Sequence, residues 1–246
     1  RQAQGYPLQL FSPQQLANLQ PSCPGGAFGA VFSPADGQLD PLAAMRAFLQ
    51  DGQRLGLHTI AAAVEGLDRG TNPGWTARLN NGRRLACDWL VVSAGLQSAA
   101  LLEPLGHARP QAPALGQALE LQLPAGAAHS LNWPGSLSWD GINLVPRPGG
   151  RLWLGATLEL DRRQGEPTAL DELRQLHGAA PPWLREAQIL RQWQGLRGRP
   201  IGRPAPLLEL LEPGLLLVSG HYRNGVLLAP ASAEWAGQQI AAAPGT

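Results

Sequence analysis

The side chains of this chain best suited to chemistry are gathered between Gly220 and Gly225, in the run Gly220-His221-Tyr222-Arg223-Asn224-Gly225. Arg223 offers a planar guanidinium that stays charged at any working pH and matches a carboxylate or phosphate bidentately. His221 can exchange a proton near neutrality, while Tyr222 and Asn224 can donate or accept hydrogen bonds. The two glycines let the backbone come close to a ligand. Leu215-Leu216-Leu217-Val218-Ser219 before the turn reads as a buried strand, and the Ala-rich stretch after it as a helix. A helix that starts there aims its free N–H groups and the positive end of its dipole at the turn. The plain alternative is a tight strand-to-helix connection with exposed polar residues.

The elements that must position this cluster belong to a chain of 246 residues, enough for one large core or two interlocked ones. Hydrophobic residues make up 44% and charged residues 15%, which marks a globular protein and excludes a disordered one. With a net charge of +1 there is no electrostatic footprint for nucleic acid or an anionic membrane. All 19 basic residues are arginine. Without lysine there can be no pyridoxal-phosphate Schiff base, no lysine nucleophile and no P-loop lysine. Cys23 and Cys87 lie far apart and outside any CxxC, so they read as structural thiols in a reducing, cytoplasmic setting. No run of about 18 apolar residues suggests a membrane span, no signal peptide is present, and no metal site is expected. The chain opens on Arg1 and already reads like the middle of a domain, as a portion of something longer.

Along the chain, Ser12 to Leu19 is expected to be a short helix, with Ser12 as N-cap and Pro13 at its first position. Residues 27–32 follow as a strand. Asp40-Pro41 opens a longer helix whose Leu42, Met45, Phe48 and Leu49 share one face, ending near Gly56. Residues 58–64 are expected to be a strand. Residues 75–79 and 84–86 form a hairpin across Asn80-Asn81-Gly82, and residues 89–93 a buried strand running into Ala94-Gly95. From Ala114 onward, alternating runs at 115–123, 129–133, 143–147 and 151–157 predict an antiparallel sheet. A polar helix is expected over 168–177 and another strand over 189–196.

Taken together, six segments resemble the D-amino-acid-oxidase-like family of FAD-dependent oxidoreductases. They are Asp36-Gly37-Gln38-Leu39-Asp40-Pro41, Val91-Val92-Ser93-Ala94-Gly95, Leu144-Val145-Pro146-Arg147, Gly155-Ala156-Thr157, Gly195-Leu196-Arg197, and Gly220 to Gly225 continuing to Ala229-Pro230. The final turn is most similar to that of glycine oxidases. Each piece is weak alone, and their order and spacing make the resemblance specific for the superfamily. It implies a mixed α/β (α+β) fold in which an FAD-binding α/β domain is interleaved with an antiparallel-sheet substrate domain. The FAD-binding segments would be residues 37–106 and 196–246, and the substrate domain residues 1–36 and 107–195. The family also implies an N-terminal strand–GxGxxG–helix unit for the ADP part of FAD. No GxGxxG opens a strand-to-helix junction in these residues, so the α/β domain is truncated here.

Site roles carried over from the resemblance are as follows. Arg197 matches a family arginine that binds substrate carboxylate, although its type and place also suit a surface salt bridge. Arg223 matches a second arginine at the substrate end of the flavin. The stretch Gly220, His221, Tyr222, Arg223, Asn224, Gly225, Val226 and Leu227 matches backbone that lies against the flavin ring, with His221 positioning rather than acting as a base. Val64 matches a position that touches FAD through its backbone and reads equally as a core valine. Ala94 and Gly95 match a close approach near the nucleotide, and a strand-ending glycine accounts for them as well. Asn143 stands where relatives often place a pocket tyrosine, and Leu158 where some have Met, so the implied pocket is more open and polar. No residue is singled out as catalytic. The implied reaction is oxidative deamination of a small amino acid (glycine, a D-amino acid or N-methylglycine), with O₂ as acceptor and hydrogen peroxide as product. A dehydrogenase using a quinone or protein acceptor, and a non-catalytic ligand-binding portion, stand as alternatives. These residues alone are expected to be inactive and to hold FAD weakly or not at all. Assembly into a homo-oligomer is left open.

Overall fold

The computed structural model describes residues 5–70 and 74–242. It begins with β1 (Gln9–Phe11), α1 (Pro13–Ala17), β2 (Ala30–Phe32) and α2 (Pro41–Arg54). Four strands follow, β3 (Val64–Arg69), β4 (Trp75–Leu79), β5 (Arg84–Cys87) and β6 (Leu90–Val92), and then α3 (Ser98–Leu102). The middle of the chain holds β7 (Gln111–Gln122), α4 (Ala125–Ser130), β8 (Leu137–Trp139), β9 (Ile142–Arg147), β10 (Arg151–Gly155) and β11 (Glu159–Leu160). Then come α5 (Pro167–Gln175), α6 (Pro182–Glu186), β12 (Gln188–Pro200), β13 (Leu207–Glu212), β14 (Leu215–Ser219) and α7 (Gly225–Ala241). The chain forms two compact units. One comprises Arg1–Asp40, Leu115–Glu159 and Gln164–Gly195; the other comprises Pro41–Ala114, Leu160–Arg163 and Leu196–Thr246.

In the first unit, alternation builds the sheet. The order is β11-β7-β10-β9-β8, with β12 also on β7. Register places Leu152 opposite Leu121, and Leu154 opposite both Leu119 and Leu144. All five leucines are buried and form one core with Leu173, Leu176, Trp183 and Leu184 from the helical stretch after β11. Because side chains alternate across a strand, the opposite face carries Asn143, Val145 and Arg147 on β9, Trp153 on β10 and Glu120 on β7. There the Arg147 guanidinium lies 4.1 Å over the Trp153 ring and pairs with Asp40 at 2.7 Å. α1 forms as expected: the Ser12 hydroxyl accepts from Gln15 N–H while the Gln15 side chain accepts from Ser12 N–H.

The second unit has two three-stranded sheets, β3-β4-β5 and β13-β14-β6. The first is antiparallel, and the Asn80-Asn81-Gly82 turn closes its hairpin with Gly82 N–H donating to the Leu79 carbonyl at 3.0 Å. In the second, β14 pairs antiparallel with β13 and parallel with β6, Leu215 facing Leu90 and Leu217 facing Val92. Leu67, Trp75, Val92, Leu102, Leu207, Leu215 and Leu217 form its core.

Two expectations are corrected. Residues 129–133 are not a strand: α4 runs over Ala125–Ser130 behind Pro124, where five small residues in six suit a helical turn that caps the sheet's core through Ala127. The strand expected from residue 58 starts only at Val64, because no neighbouring strand pairs with 58–63 among the described residues. The apolar stripe of α2 is present and unburied, with Met45 66% and Phe48 73% exposed. Among the described residues no helix is long and apolar enough to cross a membrane.

Candidate functional site

The Gly220–Gly225 turn follows β14, and its shape comes from residues that tolerate positive φ. Gly220 has φ +65°, and a Cβ there would lie 2.7 Å from Pro200 Cγ. Tyr222 takes φ +53°, a conformation uncommon for an aromatic residue. Asn224 N–H donates to the His221 carbonyl at 3.0 Å, and Leu228 N–H to the Asn224 carbonyl at 2.9 Å, which opens α7. The His221 ring reaches along α7, its Nε2 lying 2.8 Å from the Oγ of buried Ser232. Burial pushes the His221 pKa below the ordinary histidine value, so the ring is neutral at neutral pH. Arg223, Asn224, Val226 and Leu227 are exposed around the turn.

Arg197 lies on β12, partly buried, in the same unit. Burial lowers its pKa first, the positive charge of Arg223 lowers it further, and Tyr222 opposes both. The charge of Arg223 therefore acts at Arg197. Among the described residues neither Arg197 nor Arg223 forms an ion pair with a carboxylate. This departs from the surface salt bridge that residue type alone allowed for Arg197. Like charges repel, and a carboxylate bound between them would turn that repulsion into attraction at both.

Ala94 and Gly95 are exposed just after β6, with Gly95 at φ +56° and nothing within 4 Å of the position a Cβ would take. Val64 is the exposed first residue of β3, opposite Leu79. Asn143 belongs to the other unit, exposed on the sheet face opposite the leucine core and paired with Gly155 and Ser138. Leu158 is exposed as well. That unit also holds a concavity of about 580 Å³, lined in part by Phe11, Phe32, Trp133 and Trp139, which none of the candidate residues enters.

Sequence reasoning missed the polar cluster beneath the turn. Ser98 and Ser219 are buried, Ser98 Oγ donates to Ser219 Oγ at 3.3 Å, and Ser219 Oγ donates to the Gly95 carbonyl at 3.2 Å. Gln111 joins them. No local pattern could have found these residues, since Gly95 and Ser219 stand 124 positions apart.

Residues 1–239 match the model of the FAD dependent oxidoreductase (DAO) family. The chain belongs to that family. It is 29% identical to glycine oxidase of Bacillus licheniformis over 96% of its own length and 63% of that protein's. It is 38% identical to glycine oxidase of Pseudomonas putida over 61% of this chain and 40% of the other. The crystal structure of glycine oxidase from Geobacillus kaustophilus superposes with a TM-score of 0.85 at 22% identity, over 100% of this chain and 66% of that one. L-proline dehydrogenase from P. horikoshii has the same fold, with a TM-score of 0.80 at 20% identity over 97% of this chain and 66% of that one. The chain thus spans about two fifths to two thirds of the length of these relatives. FAD is the cofactor of the family.

Proposed function

We propose that this DAO-family chain forms the substrate side of an FAD-dependent enzyme that oxidises a small amino acid at its α-carbon. The observation that carries the reading is partly buried Arg197, on which the charge of Arg223 acts, with neither arginine in an ion pair with a carboxylate among the described residues. Two guanidiniums can hold a substrate carboxylate from two directions. Holding it fixes the direction of the substrate Cα–H bond, the orientation a hydride transfer requires. Glycine, a D-amino acid and N-methylglycine are the candidate substrates. FAD, when bound, supplies the two-electron acceptor, and O₂ regenerates it with release of hydrogen peroxide.

The residues present fit the ring end of that cofactor. The open space at Gly95, the glycine-bracketed turn and the start of α7 offer backbone for a close approach. Val64 and Ala94 complete the proposed contact set. His221 positions the turn through Ser232 and is not needed as a base if the amine enters neutral. The sequence contains no GxGxxG for the ADP end.

Joined to a unit that binds the ADP end and loaded with flavin, the chain should release peroxide under air with at least one of glycine, D-alanine and N-methylglycine. Arg197→Ala and Arg223→Ala should each raise KM about 10- to 100-fold, the loss expected for a charge-assisted contact of about 1.5–3 kcal/mol. Unchanged KM in both variants would overturn the carboxylate clamp. Turnover with a quinone dye but no peroxide would assign a different acceptor, a reading that the fold shared with a proline dehydrogenase makes worth measuring.

A further inference from the structure

Gln111 is the first residue of β7, and its amide reaches three segments that carry candidate site residues. The Nε2 group donates to the Gly95 carbonyl at 3.2 Å and to Ser219 Oγ at 3.1 Å. Ser219 immediately precedes Gly220, and its hydroxyl is already committed to the Gly95 carbonyl and Ser98. One amide therefore ties the end of β6 to the end of β14. Its other end faces β12. A Cβ built on Gly198, the residue after Arg197, would lie 2.3 Å from Gln111 Oε1, with Leu96 Cδ2 the next side chain at 3.7 Å. The amide fills the notch that this glycine leaves.

Gln111 Oε1 is buried and has no hydrogen-bond partner among the described residues. Turning the amide over would not help, because it would set an oxygen against the Gly95 carbonyl and lose both donated bonds. A buried acceptor left unpaired is costly, and such groups persist where surrounding structure holds them for a purpose.

We propose that Gln111 is a positioning residue: its amide sets the placement of Arg197 on β12 relative to the Gly95 and Gly220 turns. Gly198 is the glycine that admits it. The proposal rests on the reading of Arg197 as a carboxylate ligand. It adds a residue that touches neither substrate nor cofactor but decides whether the clamp closes on an anion.

The test is a double-mutant cycle on binding of acetate to the protein, followed by calorimetry, which needs no flavin and no turnover. Arg197→Ala should weaken acetate about 10-fold or more. Gln111→Ala should give a comparable loss, and the combined variant no more than either alone, because the two act through one contact. Gly198→Ala should reproduce the loss with Gln111 chemically intact, and it decides the question if Gln111→Ala does not fold. Additive losses, or wild-type affinity in Gln111→Ala or Gly198→Ala, would overturn the positioning role while leaving the clamp standing. Acetate binding that ignores Arg197, or no binding by the wild-type chain, would overturn the clamp and this role together.

Discussion

Gly220 shows how much one missing side chain decides at the turn. Its φ of +65° disfavours any L-residue by about 1–2 kcal/mol. A Cβ there would also meet Pro200 Cγ at 2.7 Å and Leu207 Cγ at 3.1 Å, and overpacking of that kind costs a further ~1–3 kcal/mol. Gly220→Ala should therefore lower the urea midpoint clearly without changing the m-value. Gly195→Ala is the matched control: nothing lies within 4 Å of its Cβ position and its φ is ordinary, so its unfolding free energy should change by less than about 0.5 kcal/mol. Equal effects of the two substitutions would show that the turn is not held by this fit. At this scale the sequence was informative wherever a residue's type announces its chemistry, as with Arg197 and Arg223. It was silent on Gln111, Ser219 and Ser232. A serine ending an apolar strand, or a glutamine opening another, has meaning only once its partners 16, 108 or 11 positions away have been brought beside it.

The elements of the same unit are locked by charge as well as by packing. Glu212 on β13 accepts hydrogen bonds from Arg69 on β3 and lies 2.6 Å from His107 Nε2, while Arg69 also donates to the Leu105 carbonyl. The Arg69 hydrogen bond, chiefly, and then His107 hold the Glu212 carboxyl down at about 2, against a burial contribution that works the other way. Its folded-state pKa thus lies below the unfolded value, so the unfolded chain binds the proton first as pH drops. The contribution is complete above about pH 4.5 and is lost as pH falls toward about 2. Stability followed by urea unfolding should decline through that window, and Glu212→Gln should remove this part of the decline. A decline of the same size in Glu212→Gln would place the acid sensitivity elsewhere. His221 acts at higher pH, since burial lowers its pKa: stability is full above the ordinary histidine value and falls as pH drops below it. Elements declared by local chemistry were legible in the sequence, among them the Ser12–Gln15 cap of α1, the Asn80-Asn81-Gly82 hairpin and the alternating strands β9 and β10. Residues 58–63 and α4 were not. A strand needs a neighbour to pair with, and a short small-residue helix takes its form from the core it covers, so neither is decided by its own residues.

At the scale of the whole molecule, the two units differ in how completely their apolar surface is used. The first closes a leucine core in which Leu144, Leu152 and Leu154 have no exposure. The second leaves Leu42, Met45, Phe48 and Leu49 on α2 open, along with Leu57 and Ile60 in the unpaired stretch before β3. Exposed apolar patches of this kind mark interaction surfaces or aggregation liabilities. The β6 strand pairs only with β14 on its described edge, although parallel pairs are ordinarily buried within larger sheets. These features lie in the unit that also carries Gly95, Arg197 and the Gly220–Gly225 turn, and the 246 residues include no GxGxxG. Two consequences follow for this chain by itself. It should enhance ANS fluorescence while showing full native secondary structure, since the patches are open in the folded state. It should also fail to retain flavin through gel filtration, because contacts to the ring end alone leave the diphosphate without the helix N-terminus that dinucleotide sites use. Substitution of Met45 and Phe48 by Gln should reduce the ANS signal without lowering the melting temperature, as neither side chain is buried. Stoichiometric flavin carried through the column by the 246-residue chain would mean that other residues grip the diphosphate, and the division of the site proposed here would fall.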